Sequence, residues 1–176
     1  MMKHIFIVNG SGGCGKDTFA SLLNEIIPVY KYSSIDKVKQ VAAICGWGGG
    51  KEERDRKFLS DLKLLTTEYN DMAFENVRAA VLKFGRSRIH KVMLIDIREP
   101  AEIDRAKQAF GARTILIRSN RVPVITSNMA DANVFNYDYD FEFDNSGTIE
   151  DLREKVIEFA SGVLGFKCSR LDTLFM

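Results

Sequence analysis

Nine residues, Gly10-Ser11-Gly12-Gly13-Cys14-Gly15-Lys16-Asp17-Thr18, follow an apolar run, Ile5 to Val8, after a single Asn9. They satisfy the spacing G-x-x-x-x-G-K, in which backbone N–H groups wrap a polyphosphate and the lysine reaches its outer phosphates. Such a backbone needs positive φ and close approach to the phosphates, which glycine permits. A helix opening near Lys16 aims its unsatisfied N–H groups and positive dipole end at the same anion. Lys16 is then placed to neutralise charge developing on a phosphoryl group in transit. Asp17 stands where Ser or Thr usually ligates Mg²⁺. Its carboxylate could ligate the metal directly or through water, accept a proton from the phosphorylated group, or simply favour the helix N-terminus. Thr18 is better suited to an α-phosphate oxygen. Cys14 reads as a small residue that fits the loop, or as a thiol whose pKa the helix end and Lys16 lower.

A second group could face the same anion. Val92-Met93-Leu94-Ile95 runs into Asp96, a buried strand delivering a carboxylate that could hold the water shell of Mg²⁺. Many buried strands end in Asp; the pairing with a phosphate loop is what gives this one meaning. Arg98 should emerge on the phosphate side, where a planar guanidinium grips phosphate through two hydrogen bonds. Glu99 and Glu102 suit the first turn of the helix that follows. Arg118 and Arg121 could fold over the transferring phosphates and exclude water, or pair with surface carboxylates. The expected catalytic residues are Lys16, Asp17, Asp96, Arg98 and Arg118. Gly10 through Thr18 surround the nucleotide, and Asp17 and Asp96 lie at the metal.

The elements needed to position these groups alternate. Ile5 to Val8 reads as a buried parallel strand. Phe19, Leu22, Leu23, Ile26 and Ile27 then recur at helical spacing up to Pro28. Val29 to Ser33 predicts a second strand, and a helix starts at Ser34, continues through Cys45 and ends at Gly46. Gly46-Trp47-Gly48-Gly49-Gly50 is a hinge candidate. Two helices follow, one carrying Phe58, Leu62, Leu65 and Tyr69, the other Ala73, Val77, Ala80, Val81 and Phe84. After Val92 to Asp96, a helix is bracketed by Pro100 and Gly111. Thr114 to Arg118 is a fourth strand and Tyr139 to Phe143 a fifth. Thr148 with Asp151 opens a last helix. Alternation of this kind implies a five-stranded parallel sheet with helices on both faces, a three-layer α/β architecture. In it, the exits at Gly10 to Thr18, Asp96 to Glu99 and Arg118 onward should share one site.

Composition narrows the class. The chain has 176 residues, 45% hydrophobic and 28% charged, with a formal net charge of +1, which suits one folded domain and excludes whole-chain disorder. A near-neutral balance argues against nucleic acid or anionic membrane as partner, because both usually demand a basic surplus. Cys14, Cys45 and Cys168 are too scattered for a disulfide framework and read as reduced thiols of a cytoplasmic protein. No apolar run is long enough for a membrane span. The mixed run Lys51 to Lys57 reads as a solvated helix face, and His4 and His90 lack metal-ligand spacing.

The loop G-x-x-x-x-G-K-D-T, the strand ending Asp96-Ile97-Arg98 with Glu102 downstream, and the closing Phe143-Asp144-Asn145-Ser146-Gly147-Thr148-Ile149-Glu150-Asp151-Leu152 resemble P-loop kinases of the nucleoside-monophosphate-kinase superfamily. The chain is most similar to phage-type deoxynucleoside monophosphate kinases; animal-type phosphomevalonate kinases share the G-K-D loop and D-x-R strand. The resemblance spans residues 3–160. It implies ATP- and Mg²⁺-dependent phosphoryl transfer to a small phosphate monoester, with a (deoxy)nucleoside monophosphate as the leading acceptor and phosphomevalonate or dephospho-coenzyme A as others. By the same resemblance, Lys39, Arg56 and Arg98 bind the acceptor, Arg118 ends the strand after the D-x-R strand, residues 34–88 supply acceptor-binding helices, and residues 119–138 form a lid. The chain departs from the family in three ways: it is shorter than typical phage enzymes, Asp36-Lys37 replaces a glycine-proline pair before Lys39, and the arginine-rich lid is thin. A nucleotide-binding regulatory protein without turnover is the alternative. A switch-type NTPase is weaker, because no water-positioning Gln or N-K-x-D motif is evident.

Overall fold

The computed structural model describes residues 2–50, 52–122 and 134–166. The chain divides into two compact units, one formed by Met1–Lys31 with Ser87–Met176 and the other by Tyr32–Arg86. Five strands form one parallel sheet: β1 (His4–Asn9), β2 (Val29–Ser33), β3 (Val92–Asp96), β4 (Arg113–Arg118) and β5 (Phe141–Asp144), in the order β2-β3-β1-β4-β5. The described helices are α1 (Lys16–Ile26), α2 (Asp36–Ile44), α3 (Glu53–Asn70), α4 (Met72–Arg86), α5 (Pro100–Phe110) and α6 (Ile149–Gly162).

The sheet is central because its strands are apolar on both faces. Phe6, Val8, Leu94, Ile115, Ile117 and Phe143 point to one face, where they pack with Phe19, Leu22 and Leu23 of α1 and Leu152, Val156 and Phe159 of α6. Ile7, Met93, Ile95 and Leu116 alternate to the other face and are fully buried. Phe159 is the hub of the first layer, with ring centroids 5.2–5.4 Å from Phe6, Phe141 and Phe143. Burying each such ring contributes about 2–3 kcal/mol. On β1, Val8 aligns with Asp96 of β3, while Asn9 aligns with Leu116 of β4. The strand progression reverses at β1, where a crevice at the strand C-termini is expected.

Local signals set most boundaries. Helix α1 starts at Lys16 and gives way at Ile27, one residue before Pro28. Gly111 closes α5 in the left-handed conformation, and Thr148 and Asp151 form a reciprocal capping box at α6. Two boundaries move. The helix expected from Ser34 begins at Asp36, whose carboxylate accepts the Ser33 N–H at 3.0 Å. The strand expected from Tyr139 begins at Phe141, because side chains replace the first ladder bonds. The Asp140 carboxylate accepts both the N–H and the hydroxyl of Thr114, at 2.7 and 2.8 Å, and Thr114 Oγ1 accepts the Asp140 N–H at 2.9 Å.

In the second unit α3 packs against α2 and α4, with the core supplied by Val38 and Ala42 of α2 and Ala73, Val77, Ala80 and Phe84 of α4. Helix α3 forms where its spacing predicts, yet buries no residue. Leu65 and Tyr69 are 63% and 85% exposed.

Candidate functional site

Strand β1 delivers Gly10 to the C-terminal edge of the sheet, and the next residues turn back to start α1. Gly10 has φ 147° and Gly15 φ 102°, and neither position tolerates a side chain. A Cβ on Gly10 would meet the Ile117 carbonyl and, at 2.6 Å, Cys14 Sγ; on Gly15 it would run into the Asn145 amide. The loop closes around its own lysine. Lys16 Nζ donates to the carbonyls of Gly10 and Ser11 at 2.6 and 2.9 Å and lies 3.8 Å from Cys14 Sγ. Lys16, Asp17 and Thr18 therefore open α1 at the mouth of a ring formed by Gly10, Ser11, Gly12, Gly13, Cys14 and Gly15, a concavity of the kind that binds anions. Ser11 Oγ is buried without a hydrogen-bond partner among the described residues. Cys14 is an ordinary buried thiol: burial pushes its pKa up despite the neighbouring lysine.

Polar side chains from the end of β1 and from both sides of β5 hold the loop. Asn9 Oδ1 accepts the Gly10 N–H at 2.8 Å, while its Nδ2 donates to the Arg98 carbonyl at 3.2 Å and the Tyr139 hydroxyl at 2.8 Å. Tyr139 donates onward to the Val134 carbonyl at 2.8 Å, and burial keeps its phenol protonated, with a pKa pushed up to about 12. Asn145, just after β5, donates from Nδ2 to the Cys14 carbonyl at 2.9 Å and from its backbone N–H to the Arg118 carbonyl at 2.7 Å. Spacing and composition did not point to Asn9, Tyr139 or Asn145 as functional residues. Asn145 stands within the closing motif quoted above, and Asn9 is a polar residue at the end of a buried strand; these were the available signals.

Asp96 ends β3 level with the loop. One of its oxygens, Oδ1, is buried and without a partner among the described residues. Burial raises the carboxyl pKa, while Lys31 and Lys16 draw it back down. Lys31 on β2, which the sequence did not single out, pairs with Asp17 and lies 3.4 Å from Asp96 Oδ2. The structure thus gathers Lys16, Asp17 and Asp96 at adjoining strand exits. An orphaned carboxylate oxygen beside a phosphate-type loop fits Mg²⁺, which binds through one or two carboxylates and substrate phosphates. No cluster of three or more His, Cys, Asp or Glu among the described residues could hold a metal alone.

The arginines are arranged less compactly. Arg98 is exposed on the segment between β3 and α5. Arg118 lies against Glu142 of the neighbouring strand, at 3.1 Å through both Nε and Nη2, with its guanidinium 5.1 Å from the Phe135 ring. Arg121 donates to the Asn145 carbonyl. Lys39 on α2 and Arg56 in the first turn of α3 are exposed and belong to the second unit. Of the expected lid, residues 123–133 lie outside the described residues, as does Cys168. No described helix is long and apolar enough to cross a membrane.

No family model and no curated protein matches the chain. Solved structures do. A tunicamycin resistance protein from Deinococcus radiodurans superposes with a TM-score of 0.56 at 12% identity, covering 94% of this chain and 97% of that one. TT1252 from Thermus thermophilus gives 0.53 at 18% identity, with 92% and 98% covered. Shikimate kinase from Aquifex aeolicus gives 0.51 at 12% identity, with 93% and 99% covered. At such identities the likeness is one of fold, and it extends over nearly the whole of each chain: the protein shares with these structures its α/β fold, built here on a five-stranded parallel sheet.

Proposed function

We propose that the protein transfers a phosphoryl group from ATP to a small phosphate monoester, with a (deoxy)nucleoside monophosphate as acceptor. One observation carries the reading: Lys16 Nζ is held on the Gly10 and Ser11 carbonyls inside a glycine-walled loop, beside a strand-end carboxylate with a buried oxygen that has no partner among the described residues. The likeness in fold to a shikimate kinase agrees with it. Gly10 through Thr18 bind the ATP phosphates, and Lys16 exchanges its loop carbonyls for phosphate oxygens. Asp17 and Asp96 hold Mg²⁺, which when bound offsets the negative charge of the phosphates. Arg98, Lys39 and Arg56 are the proposed ligands of the acceptor, and Arg118 steadies the transferring group after leaving Glu142. Little covalent work falls to the protein; positioning and electrostatics supply the rate.

The test is a coupled ADP-release assay with ATP, Mg²⁺ and a panel of nucleoside and deoxynucleoside monophosphates, phosphomevalonate and dephospho-coenzyme A. Acceptor-dependent ADP release that falls at least about a thousandfold in Lys16→Ala supports the reading and names the acceptor. Release independent of any acceptor points to an NTPase. The pairing of Arg118 with Glu142 favours a second reading, a nucleotide-binding regulatory protein without turnover. ATP binding with silence across the panel would establish that one.

A further inference from the structure

Lys31 lies on β2, where nothing in the strand pattern calls for a lysine. Its ammonium nevertheless joins two carboxylates from different elements. Nζ donates to Asp17 Oδ1 in the first turn of α1 and lies 3.4 Å from Asp96 Oδ2 at the end of β3. These are the carboxylates that the phosphotransferase reading assigns to the divalent cation, and the inference rests on that reading. The pair has strong reason to keep a cation. Asp96 is largely buried and its other oxygen has no partner among the described residues. Asp17 is 91% exposed, so water alone could satisfy it, yet it is turned onto Lys31. An ammonium between two carboxylates has the sign and position of a metal ion, but only one charge and no capacity to accept phosphate oxygens as ligands.

We propose that Lys31 is a built-in competitor of the divalent cation: its ammonium neutralises the Asp17–Asp96 pair until the cation arrives with the nucleotide, and is displaced when it does. Lys31 thereby sets how much Mg²⁺ the protein requires. Competition and bracing have opposite signs. If Lys31 competes, its removal strengthens the attraction of both carboxylates for a divalent cation. If Lys31 only braces the site, its removal loosens the carboxylates and weakens metal binding.

Mn²⁺ is a suitable probe, because its free and bound forms are distinguished by electron paramagnetic resonance. The full chain is titrated with Mn²⁺ in the presence of a non-hydrolysable ATP analogue, whose own binding is measured separately. Lys31→Met should bind Mn²⁺ about tenfold or more tighter than wild type, as removal of a unit charge near a divalent ion implies even with strong screening. Lys31→Arg keeps the bridging charge and should stay within about threefold of wild type. Should Lys31→Met fail to fold, Lys31→Gln carries the same expectation with a polar replacement. Equal or weaker Mn²⁺ binding by the neutral variants, with analogue binding intact, overturns the inference and leaves the phosphotransferase reading standing. Failure of the wild-type chain to bind the analogue removes both.

Discussion

The glycine-rich loop and the helical unit of Tyr32–Arg86 are built by opposite strategies. The loop is braced by side chains from the ends of β1 and β5, and its lysine, its asparagine neighbours and the Tyr139 hydroxyl all have defined hydrogen-bond partners. In the helical unit, α3 lays its charged and apolar side chains on the surface and buries none of them. Binding a polyphosphate needs donors fixed before the ligand arrives, since ordering them afterwards would consume the interaction energy. The helical unit carries Lys39 and Arg56, exposed cations that the proposed function assigns to the acceptor. The difference teaches that the glycine-rich loop is specified by backbone shape and fixed partners, whereas α3 presents its side chains at the surface.

That contrast makes graded predictions. The largest effect is expected at Gly15→Ala, where φ is 102° and a Cβ meets the Asn145 amide. Strain of about 1–3 kcal/mol should lower the melting temperature and weaken ATP-analogue binding together, by calorimetry. Wild-type-like binding in this variant would mean the loop is not fixed as described. Next, Tyr139→Phe leaves Asn9 Nδ2 and the Val134 carbonyl short of a buried partner and should cost about 1–3 kcal/mol in urea unfolding. A neutral result would detach the loop from this network.

A smaller, pH-dependent effect belongs to Asp140. Burial alone would raise its pKa, but the two Thr114 hydrogen bonds and Lys107 outweigh it and hold the carboxyl below its ordinary value of 3.8. A depressed folded-state pKa contributes stability above the unfolded value, which is lost as pH falls through the folded one. Asp140→Asn should therefore lower the melting temperature near neutral pH by an amount equivalent to about 1 kcal/mol, and the gap should shrink below pH 3.8. A gap that is constant with pH would assign the loss to shape instead of charge. The smallest effect is expected on α3: Tyr69→Ser, at an 85% exposed position, should change unfolding free energy by no more than about 0.5 kcal/mol. A drop of several times that would show that α3 is held by contacts its exposure hides.

The same contrast governs what could be read from the sequence. The loop was readable because few residue types satisfy its backbone, and Asp96 because it ends an apolar run. The strands of the sheet core were found for the same reason, since a strand buried on both faces is written as continuous Val, Ile, Leu and Phe. Asn9 and Tyr139 were not read as partners because their hydrogen bond spans 130 positions, and nothing local marks either end. Lys31 was missed because a lysine on a strand carries no spacing signal; only the sheet order brings it to Asp17 and Asp96. Tyr139 was placed in a strand because alternation continues through it, whereas the Asp140–Thr114 exchange takes over the pairing there. Helical spacing in α3 identified the helix but not its burial, because a stripe of Phe58, Leu65 and Tyr69 reads alike whether covered or open.

The Asn145–Cys14 hydrogen bond, 131 positions long, bears on the order in which the protein is made. The glycine-rich loop is made before its clamp, since Asn145 follows Cys14 by 131 positions. Both sheet neighbours of β1, the strands β3 and β4, also arrive late. A nascent chain therefore carries its glycine loop unclamped until β5 and Asn145 have emerged, and the ATP binding proposed for the loop should follow them.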